Sequence, residues 1–273
     1  MSGALLVSGF AGLIGLAIGS FLNVVAHRVP AGVSLMRPSR CPGCDTAIAW
    51  RHNVPVLGWL VLRGRCASCG TGISARYPLV EAFTALAFAG GTVLWWHRLP
   101  VTDLPAAADW VVLVAYGWFV AVGIALTLID LDTRRLPDVI VLPSIAVVGL
   151  FLTVACLLGA DWTRLAHAGI GALGLWACYA LVRFVRPDGM GGGDVKLAAL
   201  VGGCLGWVGW GALFVGAFAA FVLGGLYGVA LLALRRTARR ATVPFGPWII
   251  GGSWIGLALG QSLGGAYWRF AGL

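Results

Sequence analysis

The chain has 273 residues, of which 60% are hydrophobic and 11% charged, with a formal net charge of +9 and a mean hydropathy of +0.92. A soluble domain carries roughly 25% charged residues, so the composition excludes a soluble globular fold and implies an all-α polytopic membrane protein. The positive charge reads as a topology signal and gives no case for nucleic-acid binding.

A spanning helix needs about 20 apolar residues to cross a ~30 Å hydrocarbon core. Eight stretches qualify as candidate spans: Ala4–Ala26, Leu79–Trp96, Trp110–Ile129, Val139–Gly159, Ala166–Phe184, Val195–Gly209, Ala212–Leu234 and Trp248–Gly264. The first has no basic residue ahead of it and outruns a signal-peptide core, so it is expected to be a retained helix. Within it Gly12, Gly15 and Gly19 recur at helical spacing and predict a seam for a second helix. Asn23, near its end, is either interhelical glue or a ligand-binding residue.

Residues 27–77 form the only sizeable polar segment. They hold two C-x-x-C knuckles, Cys41-Pro42-Gly43-Cys44 and Cys66-Ala67-Ser68-Cys69, separated by the stretch 45–65. That spacing suits a four-thiolate zinc site; a redox pair or free thiols are the alternatives. Cys156, Cys178 and Cys204 stand singly in apolar runs and read as small buried hydrophobes. The domain division expected is therefore a first span (1–26), a cysteine domain (27–77) and a membrane core (78–273). Glu81 lies a few residues into the second span, where a lone charge requires a partner.

The third span ends on an acid, in Leu128-Ile129-Asp130-Leu131-Asp132, and Asp138 follows Leu136-Pro137. The sixth begins after Gly191-Gly192-Gly193-Asp194-Val195-Lys196, and its end is expected as a turn within the Gly/Trp-rich stretch Gly202–Gly211. Carboxylates at the edges of spans are costly and rarely idle. Two that share a site split their protonation states: one ionised carboxylate takes a proton from water while the neutral partner hydrogen-bonds a carbonyl. The bland alternative is that Asp130 and Asp194 pair with Arg134 or Lys196 as topology anchors. No H-E-x-x-H, G-x-S-x-G or Walker-type loop competes.

Sixteen of the nineteen basic residues fall in alternate loops, at 28–76, 134–135, 183–196 and 235–240. The positive-inside rule then puts both termini outside and both Asp130 and Asp194 at the cytoplasmic face.

Taken together these motifs resemble the type IV prepilin peptidases, within the G-x-G-D membrane aspartyl proteases. The resemblance rests on Gly19-Ser20-Phe21-Leu22-Asn23-Val24-Val25 with Arg28 and Pro30, the two C-x-x-C pairs, and Ile73-Ser74-Ala75-Arg76-Tyr77-Pro78-Leu79-Val80-Glu81. Further on it includes Asp130 with Leu136-Pro137-Asp138, then Gly191–Lys196 and Pro244-Phe245-Gly246-Pro247. It implies an eight-helix enzyme of the bacterial inner membrane. Such enzymes cut the basic leader from prepilins or pseudopilins after a glycine, and many then methylate the new N-terminal amine with S-adenosylmethionine. It maps the catalytic aspartates onto Asp130 and Asp194, with Asp132 and Asp138 as close neighbours of the first. It also implies a structural zinc at the cysteines, and substrate or cofactor contacts from Asn23, Arg76, Glu81, Gly191, Gly193 and Lys196. A peptidase without methyltransferase activity, and a non-enzymatic zinc-binding scaffold or transporter, are the alternatives. A transporter would need mid-membrane polar residues and repeat symmetry, which the sequence does not show.

Overall fold

The computed structural model describes residues 2–98, 105–234 and 244–270. The described residues are helical throughout, apart from loops and two isolated bridge pairings at Arg40 with Ala47 and Arg65 with Gly72. The helices are α1 (Ser2–Arg28), α2 (Leu57–Val61), α3 (Arg76–Arg98), α4 (Ala106–Thr133), α5 (Asp138–Leu157), α6 (Trp162–Val185), α7 (Gly192–Val208), α8 (Trp210–Ala233) and α9 (Gly246–Phe270). Six of them, α1, α3, α4, α5, α6 and α8, are long and apolar enough to cross a membrane. The protein is a multi-pass membrane protein. At 17 residues, α7 rises only ~26 Å, short of a full hydrocarbon core.

The chain divides into two compact units, Met1–Val93 and Leu94–Leu273. In the first, α1 and α3 meet along the predicted glycine seam. A Cβ at Gly15 would lie 2.8 Å from Ala85 Cα, and one at Gly19 would lie 2.8 Å from Glu81 Cα, so only glycine permits this approach. Close backbone contact is how helices gain van der Waals attraction when lipid removes the hydrophobic drive. The loop after α1 is gathered by Arg28, whose guanidinium donates to the carbonyls of Ser34, Leu35, Arg37 and Pro38.

The core of the second unit is built from α4, α5, α6, α7, α8 and α9, with Phe119, Leu126, Leu152, Leu197, Leu205 and Trp207 fully buried. Among these helices α7 is buried along nearly its whole length. It packs on α6 through Gly171, Gly202 and Gly206, whose missing side chains make room for facing backbone.

The turn expected within Gly202–Gly211 is present but confined to one residue. Gly202 and Gly206 lie inside α7 as contact points, and the chain breaks only at Gly209, whose φ of 142° other residues adopt only under strain. A run of glycines signals both turns and close helix contacts, and composition does not separate the two. Cys178 is exposed on α6, unlike buried Cys156 and Cys204. The long helices also begin one to four residues ahead of the apolar runs, and α1, α3, α4, α6 and α9 end beyond them, whereas α5, α7 and α8 stop one or two residues short. The basic residues Arg235, Arg236, Arg239 and Arg240, which carry part of the topology argument, lie outside the described residues.

Candidate active site and metal centre

Asp130 sits in the last turn of α4. The helix stops shortly after it because Arg134 turns left-handed (φ 54°) and its N–H closes on the Asp130 carbonyl. Pro137 then starts α5. The Asp130 carboxylate is 4% exposed, and its Oδ2 accepts the N–H of Gly246 at 3.0 Å, at the start of α9. A helix N-terminus offers unsatisfied N–H groups, and a carboxylate is a natural acceptor there.

Asp194 is 8% exposed and stands at the third position of α7. Its Oδ2 accepts the N–H of Gly191, the residue that caps its own helix, at 3.1 Å. This is one half of a capping box; Gly191 has no side chain to supply the other. Each carboxylate thus commits Oδ2 to an amide and leaves Oδ1 with no partner among the described residues.

Leu136 joins the two positions. A Cβ at Gly193 would lie 2.7 Å from Leu136 Cβ. A Cβ at Gly246 would lie 2.8 Å from Asp130 Oδ2 and 3.4 Å from Leu136 Cδ2. Gly191 makes room for the Asp194 carboxylate itself, since a Cβ there would lie 2.7 Å from its Oδ2. Lys196 does not pair with Asp194. Its Nζ bonds both carboxylate oxygens of Asp138 at 2.7 Å, tying the start of α5 to α7.

The four cysteines form a cluster whose sulfurs all lie within 4.8 Å of one another. Cys41 Sγ and Cys69 Sγ are 3.7 Å apart, and tetrahedral ligands at ~2.3 Å would stand ~3.8 Å apart. Each knuckle turns its backbone onto its first sulfur, with Gly43 N–H on Cys41 and Ser68 N–H on Cys66. Hydrogen bonds from the Thr71 hydroxyl and amide hold the Cys69 thiol down at about 6. The Gly43 and Cys44 amides pull the Cys41 thiol down too, but burial and the neighbouring Cys66 and Cys44 push it up to about 11. Thiols that cannot all ionise together suit a dication that would stabilise all four thiolates. The donor set fits a metal.

The sequence carried a further signal in this module that spacing alone passed over. Arg40-Cys41-x-x-Cys44-x-Thr46-x-Ile48 repeats as Arg65-Cys66-x-x-Cys69-x-Thr71-x-Ile73. The two copies fold alike. Cys41 N–H bonds the Thr46 carbonyl and Cys66 N–H that of Thr71. Asp45 and Gly70 occupy matching left-handed positions, at φ 52° and 71°.

Asn23 and Glu81 are both buried. Asn23 Nδ2 donates to the Tyr77 carbonyl at 3.2 Å, joining α1 to the first turn of α3. Glu81 Oε2 accepts the N–H of Val56 at 2.7 Å. Val56 is the centre of a γ-turn, with φ 60°, ψ −51° and Leu57 N–H on the Pro55 carbonyl at 2.6 Å. That conformation is rare and strained for a β-branched residue, so Glu81 holds a costly turn in place. Arg76 begins α3. Sequence reasoning missed three residues at the aspartates. Gly246 and Leu136 were legible only as parts of motifs, with no role of their own, and buried Tyr179, stacked on Phe221 and Phe245, gave no signal at all.

The family model of the Bacterial Peptidase A24 N-terminal domain matches residues 13–98. That of the Type IV leader peptidase family matches residues 117–229. The chain belongs to the type IV leader peptidase family. Curated relatives bear the description prepilin leader peptidase/N-methyltransferase. One from Stutzerimonas stutzeri is 34% identical, over 96% of this chain and 93% of its own length. One from Pseudomonas aeruginosa is 35% identical, over 95% and 93%. One from Aeromonas hydrophila is 37% identical, over 92% and 90%. No solved structure matches the chain.

Proposed function

We propose that the chain removes the basic leader from type IV prepilins or pseudopilins at the cytoplasmic membrane face and methylates the amine so exposed. The observation that carries the proteolytic half is the pair of buried carboxylates. Asp130 and Asp194 are each anchored by one amide through Oδ2, and Leu136 lies against both glycines that flank them.

The anchors fix the unbound Oδ1 atoms in direction. The ionised member of the pair takes a proton from water through its Oδ1, and the neutral member donates to the scissile carbonyl. As the amide bond breaks, the departing amine takes back a proton from the pair, which returns to its singly protonated state. Burial excludes bulk water, so charge that develops on the carbonyl is met by fixed groups. Lys196 and Asp138 set the distance between α5 and α7, and so support the site without touching the reacting atoms.

Zinc is the ion proposed for Cys41, Cys44, Cys66 and Cys69, with a structural role, since all four positions of a tetrahedral site are filled by protein. S-adenosylmethionine supplies the methyl group. The residues proposed to receive it are Asn23, Arg76 and Glu81, at the ends of α1 and α3. Glu81 has a second carboxylate oxygen beyond the one on Val56, which suits a cationic donor. The proposed topology has eight spans, α7 and α9 included, with residues 27–77 as a cytoplasmic zinc domain, both termini outside, and Gly191, Gly193 and Lys196 lining the approach to Asp194.

Mass spectrometry of the N-terminus of a co-expressed prepilin tests the whole reading. It reports leader removal and a methyl increment of about 14 Da together, as expected from replacing one hydrogen by CH3. Mature, methylated product is expected from the native chain and uncut prepilin from Asp130→Asn or Asp194→Asn. Cut product from either variant at the native rate refutes the dyad.

A further inference from the structure

The helix α2 is short, but its faces are sorted. Gly58 is turned inward against the His52 carbonyl, and Trp59 donates its Nε1–H to the Ile73 carbonyl at 3.0 Å. Leu57, Leu60 and Val61, at i, i+3 and i+4, therefore share the opposite face, and all three are exposed, Val61 at 78%. Trp50, in the 3-10 turn Trp50–His52 that packs on α2, is 83% exposed. Exposed Arg51, Arg63 and Arg65 flank this apolar face. Three large apolar side chains on one open face, with an exposed Trp in the neighbouring turn, call for a partner.

The height of α2 identifies the partner. The N–H of Val56, at the head of α2, is bonded to Glu81. Glu81 lies in the second turn of α3, whose candidate span starts at Arg76, so the bond is made ~7–8 Å along that helix from its first residue. An interfacial helix buries its apolar face ~5–10 Å into the boundary between headgroups and acyl chains. Trp and Arg are the residues that settle at that level. Charge agrees: residues 27–77 hold seven arginines and one acid, Asp45. A basic leader peptide would be repelled by such a surface, whereas anionic headgroups would be attracted.

We propose that α2 and Trp50 form a membrane-interface foot that docks the cysteine module onto anionic lipid. The foot presses Leu57, Leu60, Val61 and Trp50 into the acyl boundary, Arg51 and Arg63 reach phosphate, and Glu81 locks its height to α3. This is independent of the peptidase reading and needs only that α1 and α3 span the bilayer.

The test uses the full-length chain in lipid nanodiscs of pure phosphatidylcholine or of phosphatidylcholine with phosphatidylglycerol. A photo-crosslinking amino acid is placed at Leu60 or Val61, and hydrogen exchange of the segment 50–63 is followed in the unmodified protein. Lipid adducts at both positions, with exchange at least several-fold slower in discs containing phosphatidylglycerol, are the expected result. Absence of lipid adducts overturns the proposal, as do adducts that form only with an added prepilin and exchange that ignores lipid charge. The exchange arm involves no substitution, so a misfolded variant cannot decide the outcome.

Discussion

The cysteine module and the aspartate site solve the same problem, fixing a few polar groups in a defined geometry, by opposite routes. The module is local. Two knuckles of matching sequence, close along the chain, are each closed by their own backbone bonds. The aspartate site is non-local. Asp130 and Asp194 belong to different helices, and Asp130 is held by Gly246 at the start of a third. A local site fails when its ligands or ion are lost; a non-local site fails when helix packing shifts by a fraction of an ångström.

The largest expected effect separates the two regions outright. Cys66→Ser leaves three thiolates and is expected to lose the bound metal, measured by elemental analysis, and to speed hydrogen exchange across 40–73 because binding energy there is folding energy. The helices α4 to α9 should keep their native exchange. Asp194→Asn is expected to do the reverse: metal content is retained and leader cleavage falls at least ~100-fold, the scale of a lost acid–base group. A Cys66→Ser variant with destabilised α4 to α9 would erase the distinction between the two regions.

Next in size is Gly246→Ala. The new methyl would stand 2.8 Å from Asp130 Oδ2, so the carboxylate or the start of α9 must move. A displacement of ~1 Å can cost ~100-fold in rate. Cleavage kinetics should show a fall in kcat with KM little changed. Near-native kcat would mean that the Gly246 amide does not orient Asp130.

The Glu81 pair of variants sharpens the comparison inside the first unit. Glu81→Gln keeps an acceptor for the Val56 N–H but removes the charge; Glu81→Ala removes both. Mass spectrometry of the product is expected to show cut but unmethylated pilin for Gln. For Ala, faster exchange at residues 54–61 is expected in addition. Normal methylation by the Gln variant would move the donor pocket elsewhere.

Smaller still is Lys196→Met. The pair with Asp138 is partly exposed on both sides, and such pairs contribute at most about 1 kcal/mol. Thermal unfolding should shift by only a few degrees and cleavage by less than tenfold. The smallest effect concerns Asp161, which caps α6 by accepting from Thr163. Those bonds, from the hydroxyl first and then the amide, hold its carboxyl below the ordinary carboxylate value. A depressed folded value means the cap stabilises at neutral pH and is lost as pH falls through that value. Asp161→Ala should therefore differ from the native chain in melting temperature at pH 7 and converge with it in strong acid.

The amino-acid sequence alone determined the class, the helical spans to within a few residues at most ends, and the cysteine knuckles. These follow from local composition and period: apolar length measures a bilayer, and paired knuckles measure an ion. Tertiary structure decided what composition leaves degenerate. Gly202 and Gly206 had the signature of a turn and became helix contacts, because glycine serves both close approach and free backbone. Lys196 was open to pairing with Asp130 or Asp194 and bonds Asp138 instead, since a long side chain takes its partner from packing. Glu81 looked like a bare charge in a span and holds the Val56 turn, a contact between α3 and the head of α2 that no local pattern encodes. The anchoring of Asp130 by Gly246 and the place of Leu136 between the glycines likewise arise only when separate helices meet, because their geometry belongs to interfaces rather than to any one segment.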